Sequence, residues 1–269
     1  MTAVAEMEPA VEMDEKLEFI LSRDLRKAAK DLKPHEVRYL VDTYYQIQEY
    51  RKASANMVRS QEEEPNALLA WFASRMHRLE KQIPPAMKAY ASGRLPGRWA
   101  LSIHGIGPVI AAGLLAHFEI EQAPTVGHFW RFAGLDPTCK WEKGQKRPFS
   151  LRAKVLCWKI GQSFMKLRGY EADVYGKVYE QRKAFEIERN EAGFNKGKPH
   201  RTAGKSTTVD KLPPFRIDAQ ARRYAVKLFL AHLHHVMYVD RFKTDPPKPY
   251  ILAHGGHTHF IAPPNWPVS

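Results

Sequence analysis

The sequence predicts an all-α protein: a helical N-terminal region, then a helix-hairpin-helix domain, then an irregular tail rich in His and Pro. Three observations predict it. Apolar residues recur at helical spacing from Leu17 to Phe242, punctuated by cap residues and prolines. Strand-like runs are confined to two short pieces of the tail, 250–253 and 259–262. Between two apolar helical runs lies Gly105-Ile106-Gly107-Pro108, a turn signal that no strand would carry.

The elements follow in order. Residues 1–14 form an acidic leader, expected to be disordered. The helical N-terminal region covers 15–95. Its first helix spans 16–32 on Leu17, Phe19, Ile20 and Leu25. The second spans 34–58 on Val37, Leu40, Val41, Tyr44, Tyr45 and Ile47, with Pro34 in a first turn that needs no N–H. Asn66 caps a third, which runs through Leu68, Leu69, Trp71, Phe72, Met76 and Leu79 and is expected to stop at Pro84-Pro85. A further helix begins at 86–91 and is broken at 93–97.

The helix-hairpin-helix domain covers 96–190. After the hairpin and its second helix, Thr125 caps a short helix ending near Gly134, where glycine supplies the left-handed position. Residues 136–148 read as a polar basic loop, and Ser150 caps a helix to about residue 168. One more helix covers 171–190. The stretch 191–212 reads as a flexible basic connection, and in 213–269 Asp218 caps a long helix over 219–242 ahead of the tail.

Composition bounds the function. Hydrophobic residues make up 44% of the 269, enough for a core. No apolar run reaches the roughly 18 residues of a membrane span, and residues 1–14 lack the basic start and apolar centre of a signal peptide. Cys139 and Cys157 make neither a disulfide framework nor a zinc spacing. A cytoplasmic, nucleoid-associated protein is expected.

Net charge is +13, which favours an acidic partner, nucleic acid ahead of a membrane surface. The excess is local. Residues 1–95 carry 15 basic and 15 acidic side chains, whereas 138–205 carry 17 basic and 7 acidic. The positive block therefore follows the hairpin.

In the hairpin, Gly105 and Gly107 lack a Cβ and so permit a tight turn and close approach of a bulky partner. Ile106 should tuck between the two helices. The free N–H groups of the turn and the positive end of the second helix then form an anion site suited to a DNA phosphate, with His104 beside it.

Residues 99–168 resemble the C-terminal domain of the DEDD-type, bridge-RNA-guided insertion-sequence transposases. The matching pieces are Ile106-Gly107-Pro108, the apolar run 111–115, Phe129-Trp130-Arg131-Phe132-Ala133-Gly134-Leu135-Asp136-Pro137, the basic loop 140–147 and the helix 151–167. The resemblance implies DNA binding. Transposition does not carry over: the family's nuclease domain opens with a strand and a Gly-x-Asp motif that residues 1–95 lack. Lys143 also stands where the family has its nucleophilic serine.

Lys140, Lys143, Lys146 and Arg147 are expected to extend the phosphate contact of His104, Gly105, Ile106 and Gly107, and Arg152 and Lys154 to continue it along a helix. Lys196, Lys198 and Arg201 resemble an arm that orders on DNA. Trp141 is a candidate for stacking on bases. Six of the 12 histidines fall within 232–259, and His254, His257 and His259, with His235 from the helix, have spacing that could ligate a divalent metal. No cofactor is expected beyond that metal, and no residue is assigned a catalytic role.

The expected function is that of a DNA-binding, transposase-like protein without transposase catalysis, with RNA as the other nucleic-acid partner and self-association as an option. Two alternatives stand beside it: a metal-dependent nuclease or recombinase using the histidines, and a structural or assembly protein.

Overall fold

The computed structural model describes residues 20–60, 66–202, 205–249, 253–256 and 260–268. Among them are nine α-helices and one two-stranded hairpin, so the chain is all-α in architecture. No helix among the described residues is long and apolar enough to cross a membrane.

Helix α1 (Arg23–Ala28) is shorter than the sequence suggests. Ser22 Oγ accepts the Leu25 N–H at 3.1 Å and starts it there, and a 3-10 turn (Ala29–Asp31) ends it. Residues 16–19 lie outside the described chain. Helices α2 (Pro34–Arg59) and α3 (Ala67–Ser92) pack against each other along much of their length. Helix α3 does not stop at Pro84-Pro85; it runs through both to Ser92. Burial of Ala86, Met87 and Tyr90 against neighbouring helices outweighs the cost of about 3 kcal/mol for an interior proline.

The break expected at 93–97 is a tight corner into α4 (Leu95–Ser102). A Cβ at Gly97 would lie 2.0 Å from the Ala91 carbonyl oxygen, so only glycine lets α4 pack this closely. Helix α5 (Pro108–His117) is apolar on every side and is buried on every side. One face meets Val37, Val41, Met87 and Tyr90 of α2 and α3; the other meets Trp99, Phe118 and Leu156 in the main core. The N-terminal helices and the hairpin helices are thereby joined through α5.

Helix α6 (Val126–Phe132) follows a 3-10 turn (Ile120–Gln122). Thr125 stands at its start but makes no capping bond, its hydroxyl meeting His128 Nδ1 at 3.0 Å instead. Gly134 takes φ +65°, as the sequence requires. Helix α7 (Leu151–Leu167) is capped by Ser150, whose Oγ accepts the Ala153 N–H at 3.3 Å. Helix α8 (Val174–Glu191) is capped by Asp173.

The connection expected to be flexible contains an antiparallel hairpin, β1 (Lys198–Thr202) with β2 (Lys205–Val209), registered Lys198 to Val209 and Thr202 to Lys205. Helix α9 (Pro214–Phe242) starts four residues before Asp218, with a proline in its first turn. Asp218 is not its cap. It accepts from Tyr179 and pairs with Arg222 at 2.8 Å and Lys183 at 3.3 Å, tying α9 to α8.

The main core stacks Trp99 on Phe229 and Phe164 on Tyr175. Residues 260–268 cover it as a fixed extension. The Trp99 indole donates to the Pro264 carbonyl at 2.8 Å, Asn265 Nδ2 donates to the Ser102 carbonyl at 3.0 Å, and Trp266 and Val268 pack on the core. Of the strand-like run expected at 259–262, residues 260–262 are not a strand; 250–252 and 257–259 lie outside the described residues.

Candidate nucleic-acid interface

Helix α4, the turn 103–107 and helix α5 form the helix-hairpin-helix unit expected from Gly105-Ile106-Gly107-Pro108. Gly105 has φ +92°, a region that L side chains avoid. Ile106 is buried, its N–H bonded to the Ile103 carbonyl at 3.0 Å. Gly107 starts α5 with its carbonyl bonded to the Ala111 N–H, and Pro108 takes the first helical position.

The two glycines do different work. A Cβ on Gly105 would meet Ser163 Oγ at 3.1 Å and Leu167 and Phe164 at 3.4 Å, so the bulky neighbour it admits is α7 of the same chain. Ser163 Oγ donates to the Gly105 carbonyl at 2.6 Å and locks the turn to that helix. Gly107 is exposed, and a Cβ there would meet no atom within 4 Å apart from its immediate chain neighbours. No side chain caps α5, which leaves its first-turn N–H groups directed beyond the helix end. The open side of the turn is therefore the Gly107 side.

His104 lies beside a cavity of about 530 Å³ bounded by the turn, by Ala172 and Val174 at the start of α8, and by Asn265. Its ring centroid is 5.3 Å from that of Tyr170, and its Nε2 is buried without a hydrogen-bond partner. Asp173, between Ala172 and Val174, is wholly buried. Its Oδ1 accepts the Gly176 N–H at 2.8 Å while Oδ2 has no partner. Burial raises the Asp173 carboxyl above its ordinary range, opposed by the Gly176 N–H and then by His104.

Lys140, Lys143, Lys146 and Arg147 are exposed, as are Arg152 and Lys154 at the start of α7. The turn contacts Ser163 and Leu167, whereas Arg147 and Lys154 line a cavity with Leu151 at the other end of α7, so about 18 Å of helix separates those two places at 1.5 Å per residue. Within the group, Arg147 lies over the Trp141 ring at 5.3 Å and Lys154 over Phe149 at 4.3 Å, around a cavity of about 400 Å³. Trp141 is half exposed, with its indole N–H given to the Gln145 carbonyl. Arg152 is paired with Asp42 at 3.0 Å.

The cations closest in sequence to the turn's partner Leu167 are Lys166 and Arg168. They lie some 60 residues from the hairpin along the chain, and only the packing of α7 on the turn brings them near it. Lys196 is exposed, and Lys198 and Arg201 stand on β1.

The histidines divide. His232 and His234 are buried and face backbone carbonyls of Ile261 at 2.9 Å and Ala123 at 2.8 Å. His232 Nδ1 meets the Tyr175 hydroxyl at 2.7 Å. His235 is half-buried beside the rings of Phe260 and Trp266. His254 lies on the exposed tail, while His257 and His259 are outside the described residues. Among the described residues, no three His, Cys, Asp or Glu side chains come together as a metal group. No family model, curated protein or solved structure matches the chain.

Proposed function

We propose that this protein holds DNA by its phosphates, through the Gly107 side of the hairpin and the basic loop at the far end of α7, in the manner of a transposase domain that binds without cutting. The observation that carries this reading is the turn itself. Gly107 leaves the uncapped start of α5 open to a phosphate, while Gly105 and Ser163 fix its shape.

The second support is charge. The exposed cations of the loop and of α7 lie about 18 Å from the turn, a span of about five phosphates at 3.4 Å per strand step. Contacts of this kind position a duplex and read no sequence. RNA duplex phosphates would satisfy the same groups.

The test is duplex binding by Gly107→Asp. The variant should fold normally, because the position is open, and should lose about tenfold or more in affinity by placing a carboxylate in the anion site. Unchanged affinity in a folded Gly107→Asp protein overturns the reading.

A further inference from the structure

Helices α8 and α9 carry a ladder of alternating aromatic rings and guanidinium groups. Arg182 Cζ lies 4.6 Å from the Tyr224 ring centre and 4.9 Å from that of Phe185. Arg189 Cζ lies 5.3 Å from Phe185 and 3.5 Å from Phe194. The order Tyr224, Arg182, Phe185, Arg189, Phe194 is thus continuous across two helices and the turn that follows α8. Glu186 is buried beneath it, bonded to Arg182 and 3.5 Å from Arg189, so a single carboxylate holds both guanidiniums in place.

The three rings are not core residues. Tyr224 is 41% exposed, Phe185 46% and Phe194 53%. They keep about half their surface in water, interleaved with planar cations. A further cation stands beside the ladder on α9. Among the described residues no carboxylate pairs with Arg223, next to Tyr224; burial and then its neighbours Arg216 and Arg222 hold it below the usual arginine range.

We propose that this ladder binds an unpaired nucleic-acid strand, whose bases stack on Tyr224, Phe185 and Phe194 while its phosphates meet the arginines. Stacking on rings and guanidinium planes tolerates any base, and backbone charge supplies the rest. The proposal extends the DNA-holding reading but rests on different residues. The start of α8 borders the hairpin cavity, and Arg189 lies about 22 Å further along that helix. A duplex on the hairpin and a single strand on the ladder would together suit a forked or partly opened molecule.

The experiment measures fluorescence anisotropy of the full chain with a labelled single strand (DNA and RNA forms of one sequence), a duplex and a fork. In Phe185→Leu/Tyr224→Leu, single-strand affinity should fall about thirtyfold or more, at roughly 1–3 kcal/mol for each of the two stacked bases, with duplex affinity within about twofold of the parent. Gly107→Asp should do the reverse, which separates failure here from failure of the hairpin reading. Thermal unfolding reports whether the leucine variant folds. Arg182→Lys/Arg189→Lys provides a second route: it keeps the charges and the Glu186 pairing but loses the planar faces. It should weaken single-strand binding several-fold with an unchanged salt slope. The proposal is overturned by a parent that binds no single strand, by variants that bind it as the parent does, or by an acidic polypeptide such as polyglutamate displacing the strand at equal charge concentration. The DNA and RNA arms identify which strand is preferred.

Discussion

The Ser163 hydroxyl reaches across from α7 to donate to the Gly105 carbonyl at 2.6 Å, and this bond fixes the shape of the hairpin turn. Ser163→Ala removes the donor and leaves the carbonyl in a half-buried site. Stability should fall by about 1 kcal/mol, measured by urea unfolding. Gly105→Ala should cost more than Ser163→Ala, because it adds a left-handed penalty to a close approach of 3.1 Å. Duplex affinity should fall with stability in both, in contrast to Gly107→Asp, where affinity falls alone.

The basic loop is tested by salt dependence. Replacing Lys140, Lys143, Lys146 and Arg147 with Gln should flatten the plot of log affinity against log salt by up to about 3.6, at about 0.9 for each phosphate left without its cation. A slope identical to the parent's would show that the loop touches no phosphate. The hairpin variant should change the slope by no more than the value of about one phosphate, so the two regions are separable.

His232 sets an acid limit on stability. Burial pushes its imidazole down from 6.5 to about 4, against the bond to Ile261 and with a small further push from His235. The neutral ring donates from Nε2 to the Ile261 carbonyl and accepts the Tyr175 hydroxyl at Nδ1. The unfolded chain therefore binds a proton between pH 6.5 and 4 that the folded chain refuses. The stabilisation is complete above about 6.5 and is lost as pH falls through about 4, a change of about 3 kcal/mol at 1.36 kcal/mol per unit. His232→Gln should flatten that limb of the urea stability curve. A limb of unchanged steepness would move the acid sensitivity to other groups.

How far the sequence can be read depends on whether the deciding interaction is local. Gly105, Ile106, Gly107 and Pro108 carry the hairpin because their φ freedom, burial and missing N–H are written in four consecutive residues. Ser150 likewise caps α7 as expected. Pro84-Pro85 mislead because the packing that carries α3 through them comes from distant helices. The β-hairpin does leave a local trace: Thr207-Thr208-Val209 is β-branched and Ala203-Gly204 is a two-residue stretch with glycine, outweighed by the lysines around it.

The site is less legible than the fold. Chain order places the basic loop near the hairpin, whereas α7 carries the two at its opposite ends. The arginine ladder has a trace at Arg182, Phe185, Glu186 and Arg189, which share a helix face at spacings of three and four. Its remaining rings, Tyr224 and Phe194, come from elsewhere in the chain and can be joined to it only by tertiary structure.

Helix α7 also acts as a ruler. Its 17 residues connect the element that grips the hairpin to the element that carries the basic loop, and a straight helix changes length only in steps of about 1.5 Å and turns by about 100° with each. One residue inserted between Leu151 and Ser163 would swing the loop about a quarter-turn out of phase with the hairpin. Seven residues, close to two full turns, would nearly restore the phase and lengthen the gauge by about 10 Å. On a duplex held as proposed, the permitted spacing between gripped phosphates is therefore quantised by helix geometry, whatever the base sequence between them.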